Sequence, residues 1–303
     1  MKVACVVVTY NRKIELLKNI KSIFKQNFIV DKYYIIDNHS NDETQKFLKD
    51  NNVFNNKKIE YMYLPENIGG SGGFYTGVKK AYEDKNDFII LMDDDGRPLN
   101  NDMIGNLVKL AKEKYKENKL LFLNSLVLDF DNKKLSFGLK KNIRNYEDAL
   151  NNSVNNLIIG CVNPFNGTLI TKDLIEKIGF PNKDFFIKGD ETDYLNRAKK
   201  EKALVATVCD SLYNHPYLKR IEGKFLGKKV FFNTESPWKE YYRARNYTYM
   251  FKTNGQKKEM HRAIIKQLYS AIKYNEKKIE TTKMILKGYS DGLKEKLGPT
   301  VRP

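Results

Sequence analysis

Three consecutive aspartates, Asp93, Asp94 and Asp95, stand directly behind the apolar run Phe88-Ile89-Ile90-Leu91-Met92. A run this short, with Asn86-Asp87 before it and Gly96-Arg97-Pro98 after it, reads as a buried parallel strand. Its carboxyl end is then the edge at which open α/β sheets bind ligands. Carboxylates crowded there repel one another and lose solvent, so a cation, a partner or water has to make them tolerable. Asp93 and Asp95 could chelate one hard divalent ion that takes its other oxygens from a substrate's phosphates. The bland alternative is a solvated acidic turn.

With 303 residues, 41% of them hydrophobic, the chain can bury one large or two smaller cores. Met1-Lys2 runs straight into Val3-Ala4-Cys5-Val6-Val7-Val8, too short for a secretory signal and better read as a first strand. No stretch approaches the roughly 20 apolar residues of a membrane helix. Cys5, Cys161 and Cys209 are widely spaced within apolar segments, which predicts buried, reduced thiols in a cytosolic protein.

Strand and helix patterns alternate through the first half, as in βαβ units around a mostly parallel sheet. Strands are expected at 2–9, 33–37, 59–64, 88–93 and 120–128. Helices are expected around Ile14, Leu17, Ile20 and Phe24, at 41–49 behind an N-cap-type Asn41, at 72–82 and at 101–116. Residues 133–138 read as a hairpin arm and 140–156, polar and rich in Asn, as a mobile loop. A short helix over 172–178 stops at Gly179, and a helix at 190–202 precedes a strand at 203–208. From Ser236 the pattern is helical, with Trp238, Tyr241, Tyr242, Arg245 and Tyr249 near one face and Ile264, Leu268 and Ile272 repeating further on. This divides the chain into a nucleotide-binding type of region, 1–235, and a helical region, 236–303.

Four further clusters sit where chemistry could occur. Asn67-Ile68-Gly69-Gly70-Ser71-Gly72-Gly73 comes after a strand and opens a helix; its glycines are either a backbone cradle for an anion or a tight loop. Strand one ends in Thr9-Tyr10-Asn11-Arg12 and strand two in Asp37-Asn38-His39-Ser40, on the same sheet edge as the triplet. There Asp37 could take a ribose hydroxyl or base N–H and Arg12 a phosphate, or each could be a cap or surface pair. Asp190, Glu191 and Asp193 crowd a helix start, as dipole partners or with one as a general base. Finally, Asn214-His215-Pro216 offers a histidine in a turn after a strand, structural or else the third ligand of a carboxylate-bound Mn²⁺ or Mg²⁺.

In this order, Val6 to Arg12, Ile35 to Ser40, Asn67 to Gly70, Met92 to Asp95, Gly189 to Tyr194 and Asn214-His215-Pro216 resemble inverting glycosyltransferase family 2, with its GT-A fold. The resemblance covers about residues 1–250. The glycine-rich stretch, the Asp triplet and the His-Pro pair look most like the bacterial galactofuranosyltransferases, with the rhamnosyltransferases as relatives. It implies that Thr9, Tyr10, Asn11, Arg12, Asp37, Asn67, Gly69, Gly70, Asp93 and Asp94 bind a nucleotide sugar, Asp94 facing the sugar. Asp93, Asp95 and His215 would hold the metal. Glu191 would be the base, with Asp190 beside it, and Asp193 and Tyr194 would meet the acceptor. Where galactofuranosyltransferases usually carry Trp and two Asp, this chain has Gly189, Asp190 and Glu191. The implied reaction moves galactofuranose from UDP onto a hydroxyl of a bacterial surface glycan, with rhamnose from dTDP, or a non-catalytic nucleotide-sugar module, as alternatives.

Charge adds a partner. Of the net +17, residues 217–303 carry +13, from 21 Lys and Arg against 8 Asp and Glu. Such a tail fits a polyanionic surface. No groove-docking or base-stacking motif accompanies it, which argues against nucleic acid. Anionic lipid at the inner face of the cell membrane, with a lipid-linked acceptor, is the expectation; the aromatic part of the helical region would cover the catalytic domain, leaving the part beyond Gly255 to face lipid. A homo-oligomer contact is the other use of such a helix.

Overall fold

The computed structural model describes residues 1–139 and 143–302. By contacts the chain divides into two units, Met1–Pro181 with Tyr194–Leu218, and Asn182–Asp193 with Lys219–Pro303. The division expected after residue 235 therefore falls earlier, after Leu218, and a short piece from mid-chain joins the helical unit.

In the first unit, β1 (Val3–Thr9), β2 (Lys32–Asp37), β3 (Ile59–Tyr63) and β4 (Phe88–Asp93) alternate with α1 (Lys13–Ile23), α2 (Thr44–Asp50) and α3 (Gly69–Glu83). These four strands are parallel in the order β3-β2-β1-β4. Next along the chain come β5 (Arg97–Pro98), α4 (Met103–Lys114), β6 (Leu121–Leu128), α5 (Tyr146–Asn151), β7 (Leu157–Ile159), β8 (Thr168–Thr171), α6 (Lys172–Ile178), α7 (Asp190–Lys200) and β9 (Leu204–Asn214). Here β8 lies antiparallel between β4 and β6, β9 runs parallel to β6, and β5 and β7 flank β9 antiparallel. Parallel pairing thus holds for the βαβ half and gives way to a mixed sheet beyond it. β1 and β4 are buried along nearly their whole length, as continuous apolar runs covered on both faces must be. The cysteines are buried and free.

Several local expectations change. α2 starts at Thr44, and Asn41 instead donates its backbone N–H to Asn11 Oδ1 at 2.8 Å. The 133–138 arm does fold back antiparallel on the end of β6, but only through one bridge, Leu128 with Leu135, flanked by hydrogen bonds from the Ser136 N–H to the Val127 carbonyl and from the Asp129 N–H to that of Lys134. Within the expected loop 140–156, residues 140–142 lie outside the described residues, while Asn145 caps α5 by accepting from the Asp148 N–H.

α3 begins at Gly69, three residues before the expected start, so the glycine-rich stretch is helix rather than loop. Only Gly69 has positive φ there, +77°. Gly73 and, one turn on, Gly77 serve close packing: a Cβ on Gly73 would lie 2.5 Å from Val8 Cγ1, and one on Gly77 2.3 Å from Val6 Cγ1. The helix can approach β1 this closely only because those positions lack side chains.

The second unit contains the hairpin β10 (Ile221–Phe225) and β11 (Lys228–Phe232), which the sequence pattern did not show, and the helices α8 (Pro237–Thr253), α9 (Lys257–Tyr274) and α10 (Lys278–Leu293). Gly288 and Gly292 let α10 press on α8, since a Cβ there would sit 2.3 Å from the Tyr241 carbonyl and 2.4 Å from that of Arg245. Tyr241 and Tyr242 are buried in this unit's own core with Phe186. Ile264, Ala271 and Ile285 form another apolar cluster with Ala244, so α9 and α10 are not a detachable outer layer. Among the described residues, no helix is long and apolar enough to cross a membrane.

Candidate active site

β1, β2, β4 and β9 all end at one edge of the first unit's sheet, because β9 runs parallel to β6 and β6 runs in the direction of β4. That shared edge gathers the expected residues. Asp93, Asp95 and His215 each offer a ligand atom, all within 4.8 Å of one another, and all three are partly buried. His215 Nε2 stands 3.2 Å from Asp95 Oδ1, and its ring packs on Phe137 with centroids 4.7 Å apart. Two carboxylates and an imidazole are a hard oxygen and nitrogen donor set of the kind that suits Mn²⁺ or Mg²⁺. Their separation matches ligands that share one ion, so the residues fit the expected metal.

The three carboxylates are made unequal by their surroundings. Asp94 is almost fully buried; burial, opposed by a 2.7 Å hydrogen bond from the Thr9 hydroxyl and by Arg12, pushes its carboxyl up to about 7. Asp95 is also disfavoured by burial, but the hydrogen bonds and charges of His215 and Arg12 outweigh that and hold it at about 2. Burial acts against the His215 cation as well, and Asp95 overcomes it, raising His215 above its ordinary value. Arg12 donates to Asp95 and lies 3.5 Å from Asp94 Oδ1, with about half of its side chain exposed. It is both counter-ion and an accessible cation at the strand edge.

Supporting contacts explain why the triplet holds its place. Gly96 is required, since a Cβ there would sit 2.4 Å from the Tyr213 ring. Asn19, fully buried on the inner face of α1, donates to the Gly96 carbonyl at 2.6 Å and accepts from Tyr33 at 2.7 Å. Sequence reasoning passed over Asn19; its signal was an amide on a face otherwise built from Leu16, Ile20 and Ile23. β5 matters similarly, pairing Arg97 with Asn214 and so tying the triplet's exit to the strand that carries His215.

The nucleotide-side expectations divide. Asp37 is completely buried, accepting from the Tyr61 hydroxyl and, at 2.8 Å, from the Ser40 amide, so it organises the turn after β2. Asn67 Oδ1 accepts from the Gly69 N–H at 2.9 Å and from Asn38 at 3.0 Å, and Asn38 in turn accepts from the Ile68 N–H. Asn38 was not expected to matter, yet it couples the end of β2 to the start of α3. Gly70 leaves open space where a side chain would be. Tyr10 is exposed, and Asn11, at φ +54°, donates its N–H to Ser40 Oγ at 2.9 Å.

In the second unit, Glu191 Oε2 accepts from the Gly189 N–H at 3.1 Å, and Asp193 N–H closes on the Gly189 carbonyl at 2.8 Å. Asp190 is buried and Glu191 half-buried. Gly189 adopts φ +92°, and its missing Cβ would lie 3.2 Å from Met250 Cε, so a tryptophan at this position would be strained and obstructed. The loop before it is stapled from α8. The buried Arg245 guanidinium donates to the carbonyls of Asp184, Phe185 and Gly298, and the Asn246 amide donates to those of Phe185, Ile187 and Lys188. Arg245 and Asn246 were invisible as a device in sequence. Tyr194 corrects an expectation: it is fully buried in the first unit, bonded to the Gly179 carbonyl and packed on Phe165, so its ring is not available to an acceptor.

A strand edge with an acidic triplet, a histidine beside it and a neighbouring arginine, on a βαβ sheet that turns mixed, defines a GT-A glycosyltransferase. The model of the family "Glycosyl transferase family 2" matches residues 4–165, and the chain belongs to that family. Similar proteins include the galactofuranosyltransferase GlfT1 of Mycolicibacterium smegmatis, 26% identical over 266 residues that span 84% of this chain and 85% of the relative. GlfT1 of Mycobacterium tuberculosis is 27% identical over 263 residues, covering 84% of each. Among solved structures, GalNAc-T7 with UDP, GalNAc and Mn²⁺ superposes with a TM-score of 0.63 at 15% identity, over 98% of this chain and 56% of that one. The mannosyltransferase PcManGT from Pyrobaculum calidifontis, in complex with GDP-Man and Mn²⁺, gives 0.56 at 12% identity, covering 97% and 88%.

Proposed function

We propose that this glycosyltransferase moves galactofuranose from UDP-galactofuranose, with inversion, onto a hydroxyl of a bacterial surface glycan that is carried on a lipid. The reading is carried by the convergence of Asp93, Asp95 and His215 beside Arg12, and the GlfT1 relatives supply the sugar. A Mn²⁺ or Mg²⁺ ion held by these three residues would neutralise diphosphate charge. Arg12, half-exposed, pairs with the donor's phosphate oxygens, and Thr9 holds Asp94 toward the sugar. Glu191 accepts the proton of the acceptor hydroxyl. The freed oxygen then bonds to the anomeric carbon from the face opposite UDP, the bond from that carbon to the phosphate oxygen breaks, and its electron pair leaves with UDP. The Gly189 N–H on Oε2 orients the Glu191 carboxylate for this step.

The enzyme then works in the cytoplasm, at the inner face of the membrane. Supporting this, Ile265 and Ile272 on α9 and Ile279 and Leu286 on α10 are exposed at seven-residue spacing, with Arg262, Lys273, Lys283 and Lys287 exposed nearby in sequence. Incubating the purified protein with Mn²⁺ and a panel of nucleotide sugars, with synthetic glycan acceptors, tests the reading. UDP release from UDP-galactofuranose is expected; dTDP release from dTDP-rhamnose would move the donor, and no release from any sugar would leave a binding module.

A further inference from the structure

The second unit contains a cavity of about 320 Å³ that none of the assigned roles uses. Arg220, Arg243 and Lys266 line it, together with Phe231, Phe232 and Tyr247. The cations are close enough to oppose one another: burial first, then the charges of Arg243, Arg262 and Arg220, lower the Lys266 ammonium below its ordinary value. Arg243 is answered by the buried Glu240, which accepts from it and, at 2.6 Å, from the Gln267 amide. The wall adds an unpartnered group, the Ser270 hydroxyl, which is buried without any hydrogen bond. Clustered cations that repel one another, beside an orphaned donor, call for an anion of more than one negative charge.

One wall of the cavity also touches the segment that carries the candidate base. Tyr247, which lines it, lies 3.2 Å through its hydroxyl from Thr192 Oγ1, the residue after Glu191. Burial, and next the charge of Glu191, push the Tyr247 phenol up to about 12. On the proposed function the donor's diphosphate lies at the carboxylate and histidine set, so an anion here would belong to the other substrate. The aromatic walls suit an apolar or sugar group attached to it.

We propose that this cavity is an acceptor-anchoring site that binds the diphosphate of a lipid-linked glycan, with Arg220, Lys266 and Ser270 as its principal donors. The inference rests on the glycosyltransferase reading for its acceptor, but its test does not need turnover. Calorimetric titration with farnesyl diphosphate in EDTA, which removes metal-dependent donor binding, should show one site. Lys266→Gln and Arg220→Gln should each weaken it about tenfold or more, the worth of a charge-assisted hydrogen bond, while Lys266→Arg stays within about threefold of the parent. Unchanged melting temperatures confirm that the variants fold, since Arg220 is exposed and Lys266 half-exposed. Inorganic pyrophosphate should compete, whereas UDP and farnesol should compete weakly. No binding by the parent, equal binding by the Lys266→Gln/Arg220→Gln double variant, or UDP competing as strongly as farnesyl diphosphate would each overturn the proposal. Because UDP release is measured separately, binding without release sinks only the catalytic reading, and release without binding sinks only this one.

Discussion

The acidic edge of the first unit and the basic cavity of the second handle like charge in opposite ways. At the edge, two of the three carboxylates are seen to be answered within a few ångströms, Asp94 by Thr9 and Arg12, and Asp95 by His215 and Arg12. In the cavity, Glu240 answers Arg243, while Lys266 is disfavoured by the cations around it and the Ser270 hydroxyl goes unbonded. A third treatment lies close by in sequence, where Arg245 is entirely buried yet answered by three backbone carbonyls. Buried charge is therefore not by itself a mark of function. The cases differ in what answers the charge: side chains at the edge, backbone carbonyls at Arg245 and, in the cavity, the proposed ligand.

The largest effect is expected at the acidic edge. Asp95→Asn should abolish UDP release while circular dichroism shows a folded protein, and excess EDTA should do the same to the parent; full activity in EDTA would break the assignment of the edge as a metal site. Next, Glu191→Gln should keep donor binding but lose about 10²–10⁴-fold in kcat, with Asp190→Asn costing less, as single-turnover rates would show. The reverse order would transfer the proton to Asp190.

Where the pairing is complete, stability should respond. Arg245→Met strands the carbonyls of Asp184, Phe185 and Gly298 and should cost about 3 kcal/mol in urea unfolding. A loss below about 1 kcal/mol would mean the staple is dispensable. Gly77→Ala tests packing without charge: its Cβ would meet Val6 at 2.3 Å, and overpacking should cost about 1–3 kcal/mol. The smallest effect is expected at the exposed isoleucines. Ile265→Ser with Ile272→Ser should weaken flotation with anionic vesicles at low salt, by up to about 2 kcal/mol, and leave the melting temperature nearly unchanged. Equal flotation would remove α9 from any membrane contact. Deleting 256–303, by contrast, would strip Ile264, Ala271 and Ile285 from the core and should unfold the second unit.

Much of the first unit could be read from sequence because parallel strands buried on both faces are continuous apolar runs, and the residues just past each run must sit at one edge. β4 and Asp93 to Asp95 are the clearest instance, and β1 with Thr9 and Arg12 the next. Only the family resemblance placed His215 there, because the strand expected at 203–208 stops short of it; β9 in fact runs on to Asn214 and delivers it to the same edge. Sequence periodicity by itself also gave the helices of the basic region and the buried thiols. Only the tertiary structure decided what the glycines of α3 are for, because whether a missing Cβ serves an anion or a neighbouring strand depends on what stands 2.5 Å away. It decided likewise that Asp37 and Tyr194 are interior residues, and that Asn19, Asn38, Arg245 and Asn246 hold loops. Each of those roles is a hydrogen bond between segments far apart in the chain, and spacing along a sequence carries no record of such a partner.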